Sequence, residues 1–382
     1  AERAAARAAA LGWTDTAVLT GGAGGWAADG GELYSGVNVP SKAFGEYVEH
    51  TFDTPRLPAT EVNALLDAAA RGEADLVVLD SRPLDEFRRM SIPTGTDCPG
   101  AELVHRVKEM APDPDTLVIV NCAGRTRSII GAQSLINAGL PNPVVALENG
   151  TMGWELAGYE VARGEQAHAP DPGPDARAWA EAAAAAVGGR FGAETRTLAE
   201  VEAWQADPDR TTSLLDVRTP GEFEAGHLPG SRNAPGGQLV QATDEYVATQ
   251  AARLVLIDDN GVRATMTASW LRQLGWHYAL VLDVGLPAVA AAGVELRTGP
   301  RARTAVERAP KMTVSELAQR LGDDPASVAV LDLGTSVKYR MRGHIPGAWW
   351  GVRSRLDEAR AAIGDVSTLV LTSTDGQLAT LA

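Results

Sequence analysis

Short, wholly apolar runs alternate along this chain with longer stretches whose apolar residues fall three and four positions apart. The clearest run is Leu117-Val118-Ile119-Val120, apolar at every position as a strand covered on both faces of a parallel sheet must be. Residues 129–138 follow with helical spacing and stop at Gly139. Repetition of this strand-then-helix alternation predicts an α/β fold, with mostly parallel sheets and helices on both faces.

The pattern is one unit used several times, which settles the architecture before any single residue does. Leu79-Asp80-Ser81-Arg82 returns as Leu215-Asp216-Val217-Arg218 and again as Leu331-Asp332-Leu333-Gly334, each time at the end of an apolar run. A helical turn with an aromatic residue follows each copy: Asp85-Glu86-Phe87, Gly221-Glu222-Phe223 and Val337-Lys338-Tyr339. Then comes a proline-glycine turn: Ser91-Ile92-Pro93-Thr94-Gly95, His227-Leu228-Pro229-Gly230 and His344-Ile345-Pro346-Gly347. Asp80 lies 42 positions before Cys122, Asp216 lies 42 before Asp258, and Asp332 lies 41 before Ser373.

These correspondences divide the chain. Residues 1–50 read as the C-terminal half of a unit, with Ala17-Val18-Leu19 level with the strand Val144-Val145-Ala146-Leu147. Residues 55–165 form a complete unit that carries Cys122, and 196–299 a complete unit with aspartate in its place. Residues 310–382 supply the N-terminal part of a further unit. Between the complete units, 166–195 reads as a linker: three prolines (Pro170, Pro172, Pro174), then an alanine-rich helix. Either the terminal halves complete one another or they mark the limits of the given chain.

Chemistry concentrates after Val120. Cys122-Ala123-Gly124-Arg125-Thr126-Arg127-Ser128 joins strand to helix, so Cys122 is presented on a loop where backbone N–H groups lack intrahelical partners. Those donors, the helix dipole and two arginines favour an anion there. The net charge is −15, so an anionic ligand needs a local positive pocket, and nucleic acid and anionic membranes are excluded as partners. No apolar run approaches the roughly 18–20 residues of a membrane span, and no secretory signal opens the chain. Two cysteines, Cys98 and Cys122, make no disulfide framework and suit a reducing cytoplasm. No metal-ligand constellation and no nucleotide loop is present, so the reading calls for no cofactor and no metal.

Taken together, the Asp-x-Arg strand ends, the His-x-Pro-Gly turns, the six-position Cys-to-Arg loop and the Gly-rich turns near tryptophan resemble tandem rhodanese-like sulfurtransferases. The resemblance implies tandem rhodanese-like domains and transfer of a sulfane sulfur from thiosulfate or a similar donor, through a persulfide on Cys122, to a thiol or cyanide. A protein acceptor is equally compatible with it. Cys122 is then the nucleophile and Arg127 its catalytic partner. Ala123, Gly124, Arg125, Thr126 and Ser128 complete the substrate cradle.

Only one unit carries the cysteine. Asp258 and Ser373 stand at the matching places, so those units read as scaffold. Asp80 and Arg82 survive as Asp216 and Arg218 in the aspartate unit, which argues for a structural brace. Cys98, level with Ala234, reads as a small core residue rather than a resolving thiol. Two other functions deserve weight. A phosphatase of related fold would need five residues between cysteine and arginine, and here there are four. A non-enzymatic sulfur carrier or protein-binding module would account for the units without a nucleophile.

Overall fold

A computed structural model describes residues 17–30, 38–207, 209–300, 310–341 and 343–373, with Ala5, Ala9, Gly376 and Ala379. The chain forms two compact units, Ala1–Arg301 and Ala302–Ala382.

The larger unit holds two five-stranded parallel sheets built alike. The first contains β1 (Arg56–Leu57), β2 (Leu76–Asp80), β3 (Thr96–Asp97), β4 (Leu117–Asn121) and β5 (Val144–Leu147), in the order β1-β5-β4-β2-β3. The second contains β6 (Glu194–Arg196), β7 (Thr212–Asp216), β8 (Arg232–Asn233), β9 (Arg253–Ile257) and β10 (Ala279–Leu282), in the order β6-β10-β9-β7-β8. Side chains on a strand point alternately to opposite faces, and β4 shows what each face meets. Val118 and Val120 enter one apolar cluster while Ile119 enters another. On β9, Leu254 and Leu256 join the same cluster as Val118 and Val120, whereas Val255 and Ile257 turn to a third. The two sheets therefore share one core between them.

The stretch read as a linker is part of that core. Its helix, Pro174–Phe191, starts with proline in its first turn and stops at Gly192 in the left-handed conformation. Ala180, Ala183, Ala184 and Val187 bury one side of it in the shared cluster. Gly188 lets it approach the helix Val262–Gln273 so closely that a Cβ would sit 2.7 Å from Thr265 Cγ2.

The N-terminal residues differ from the expected half-unit. A helix, Gly22–Ala28, follows the glycine turn, but Ala17–Leu19 forms no strand, and Val18 and Leu19 are exposed. A parallel strand needs a neighbour for its N–H and C=O groups, and this segment has none among the described residues. Residues 10–16 lie outside the described residues. The next helix, Val39–Phe52, instead packs Phe44 and Val48 into the shared core.

The smaller unit contains β11 (Val328–Asp332), β12 (Trp349–Trp350) and β13 (Thr368–Thr372), parallel and ordered β12-β11-β13. This repeats the β3-β2-β4 portion of the complete sheets. Ser373 directly follows β13, and most of the loop after it lies outside the described residues.

Candidate active site

The loop of Cys122 leaves the carboxyl end of β4 and enters the helix Thr126–Asn137, held from below and from the side. From below, Asn121 donates through Nδ2 to Asp80 Oδ2 at 2.7 Å and to Thr151 Oγ1 at 2.9 Å. Asp80 is fixed by Arg82, which donates to its two oxygens at 2.8 and 2.7 Å and to the Met90 carbonyl at 2.6 Å. Arg218 does the same for Asp216 and the Gly226 carbonyl. The pair is a brace common to both repeats.

From the side, the amides of Thr151 and Met152 donate to the carbonyls of Cys122 and Ala123 at 2.8 and 3.0 Å. Gly150 makes this possible: its φ is +55°, and a Cβ there would lie 2.4 Å from the Cys122 carbonyl oxygen.

The Cys122 thiol reaches Ser128 Oγ at 3.5 Å, and Ser128 Oγ donates to the Arg125 carbonyl at 2.8 Å. Both side chains are buried; Cys122 is only 1% exposed. The expected open presentation of the sulfur is thus corrected: the loop wraps over it, and the Gly150 turn closes the other side. Ala123, Gly124, Arg125, Thr126 and Arg127 form the partly exposed rim, with Thr126 packed against Gly45 of the helix Val39–Phe52.

The expected positive pocket is corrected too. Arg127 donates to the carboxylate of Glu86 at 2.9 and 2.8 Å and to Gln238 Oε1 at 3.3 Å. Burial disfavours its charge, but Glu86 outweighs this and holds its pKa above the ordinary value. Arg125 pairs with Glu46 at 2.9 Å and through Nε with Glu49 at 3.1 Å; Arg56 also pairs with Glu49. Two loop guanidiniums therefore face three carboxylates.

Sequence reasoning had missed Glu86, although its signal was present. Glu86 precedes Arg127 by 41 positions, and Glu222 precedes Arg263 by 41, forming the same bidentate pair at 2.9 and 3.0 Å. Glu46, Glu49 and Gln238 had no such signal, since they come from elements outside this repeat.

In the aspartate repeat, Asp258 fills the corresponding cradle with its own side chain. Its carboxylate accepts from the amides of Gly261 at 2.6 Å and Ala264 at 3.0 Å. Burial still pushes its pKa up, against the pull of Arg263 and those amides. Arg263 is completely buried among Glu222, Asp259 and Glu102, the last contributed by the cysteine repeat. Burial pushes against the charge of Glu222, but Arg263 and Thr219 bring its pKa down to about 2.

His227 stacks on Phe223 and His344 on Tyr339, with ring centroids 3.8 and 3.7 Å apart, which makes them braces of their turns. Ser91, level with them, leaves its buried hydroxyl without a partner. Cys98 is fully buried; that burial, with Glu102 nearby, pushes its thiol pKa well up, as suits an inert core residue. Among the described residues no helix is long and apolar enough to cross a membrane, and no cluster suited to a metal occurs.

The rhodanese-like domain family matches residues 60–157 and 197–292. A solved structure of thiosulfate sulfurtransferase from Pseudomonas aeruginosa is 50% identical; the match covers 100% of this chain and 70% of that one, with a TM-score of 0.81. An uncharacterized protein, YqhL, of Bacillus subtilis is 41% identical over 66 residues, 17% of this chain; the match spans about half (51%) of that curated relative's length.

Proposed function

This chain belongs to the rhodanese-like domain family, and on that premise we propose that it is a sulfurtransferase working through a persulfide on Cys122. The Cys122 thiolate attacks the outer sulfur of thiosulfate; the S–S bond breaks and sulfite departs with the electron pair. An acceptor thiolate or cyanide then attacks the outer persulfide sulfur, and Cys122 leaves as thiolate. Loop amides steady the anionic sulfur, and Ser128 does so by turning its hydroxyl from the Arg125 carbonyl to it, while Arg127 and Arg125 meet the donor's oxygens as their carboxylate partners yield.

One observation carries this reading: the sister cradle already binds an anion, the Asp258 carboxylate, on its own backbone amides. In the cysteine repeat the same place is taken by a nucleophile. The Pseudomonas aeruginosa relative's activity supports thiosulfate as donor. The two free thiols fit a reducing, cytoplasmic setting.

The test is a kinetic comparison of thiosulfate with p-nitrophenyl phosphate. Thiosulfate with cyanide is expected to turn over with parallel double-reciprocal lines, and the phosphate not at all. Hydrolysis of the phosphate alone would overturn the assignment.

A further inference from the structure

The two repeats of the larger unit meet through equivalent turns. Gly100–Glu102 follows β3 and Gly236–Gln241 follows β8; the first glycine amide of each donates at 3.1 Å to the carbonyl of Ser81 or Val217. The turns cross backbone to backbone, so closely that a Cβ on Gly237 would lie 3.2 Å from Gly100 Cα. Gln238 follows Glu102 by 136 positions, as Arg263 follows Arg127. The crossing carries each of these two side chains to the loop of the opposite repeat. Glu102 accepts from Arg263 at 2.9 Å, and Gln238 accepts from Arg127 at 3.3 Å.

This exchange is alike in geometry and unequal in charge. Arg263 pairs with Glu222 of its own repeat, Asp259 of its own loop and Glu102 from across the crossing. Of these, only Glu222 has an acidic counterpart at Arg127, namely Glu86. Ala123 stands level with Asp259, and Gln238 with Glu102. Three carboxylates on one guanidinium leave a negative group that repels an incoming anion, and Arg263 has no exposed surface to offer one. Arg127 with Glu86 is a neutral pair, and its side chain keeps 11% exposure. Arg125 lacks the same freedom, because Glu46 and Glu49 both hold it.

We propose that Gln238 is a positioning residue for sulfur loading, lent to the Cys122 site by the aspartate repeat. Its neutral amide leaves Arg127 engaged with a single carboxylate and therefore available to the oxyanion end of the sulfur donor. The donor binds as the guanidinium turns from Glu86 to its oxygens, while Gln238 Oε1 keeps hold of Nη1. A second carboxylate in this place, as Glu102 provides at Arg263, would lock the arginine and repel the donor. The aspartate repeat thus does more than complete the shared core: it sets its neighbour's affinity for an anionic donor. The inference rests on the persulfide reading above.

The test measures KM for thiosulfate in the full chain at saturating cyanide. Gln238→Glu should raise KM about tenfold with kcat within about threefold of wild type, the pattern of weakened donor binding. Glu86→Gln, which leaves Arg127 no carboxylate, should lower KM about threefold. The two changes combined return one carboxylate and one amide to Arg127, and should bring KM to within about threefold of wild type. Losses from a merely structural role would instead accumulate in the double variant and follow its melting temperature. An unchanged KM in Gln238→Glu, or a raised KM that Glu86→Gln does not recover, would overturn this proposal alone. Should Gln238→Glu fail to fold, Glu86→Gln decides by itself, and a KM at or above the wild-type value would overturn the proposal. A wild-type chain that takes up no sulfur would overturn the persulfide reading, and this proposal with it.

Discussion

After β4 the chain turns through Cys122, and after β9 through Asp258, each loop closed from the side by a glycine turn, Gly150 or Gly285. A Cβ on Gly285 would lie 1.8 Å from the Asp259 carbonyl oxygen, as one on Gly150 would meet that of Cys122. In the aspartate loop the cradle is filled by its own carboxylate, and the arginine is sealed among three acids. In the cysteine loop the corresponding arginine keeps one carboxylate partner and a glutamine, at the rim. The difference teaches that one duplicated loop can be a structural bolt when it binds an internal anion. On the proposed reading, it becomes a reaction site when its anion is a nucleophilic sulfur and its arginine is less completely paired.

Exchanging the anion centres probes that contrast hardest. Cys122→Ser should abolish sulfur transfer in a cyanide assay, a fall of about 10³-fold or more. Asp258→Ala should leave transfer per folded molecule nearly unchanged while lowering the melting temperature, because the buried Ala264 amide and the part-buried Gly261 amide lose their acceptor, at about 1–3 kcal/mol. Equal losses of activity would erase the distinction between the loops.

The arginines sharpen it further. Arg263→Gln should destabilise the larger unit by about 3–5 kcal/mol, since it strands acids around a buried site. Arg127→Gln should cost less stability but slow sulfur loading by about tenfold or more, measured as the initial rate with thiosulfate. If Arg127→Gln affects stability alone, the loop arginine is a bolt in both repeats.

Much of this was legible in the chain because duplication supplies its own controls. The Asp80–Arg82 brace was readable as structural since Asp216 and Arg218 keep it where no cysteine exists. The proposed nucleophile rests on the same kind of comparison, since Cys122 has aspartate and serine at its matching positions. Glu86 escaped despite its copy, Glu222; most of the rest that escaped has no copy to compare. Glu46 and Glu49 reach Arg125 from a helix outside the repeating unit. His168 sits in a stretch whose prolines suggested a plain linker, yet its neighbours hydrogen-bond along the edge of β3. The burial of Cys122 depends on a left-handed Gly150, a backbone conformation that composition and spacing do not reveal. Ala17–Leu19 has a strand's composition but lacks the paired edge that would make it one.

The most direct measurement is the mass of the Cys122-containing peptide after incubation with thiosulfate and removal of excess donor. The account predicts a gain of about 32 Da, one sulfur, on Cys122, absent in Cys122→Ser and reversed by a thiol. An unchanged mass on Cys122 in a chain that still consumes thiosulfate, or a gain confined to Cys98, would contradict it.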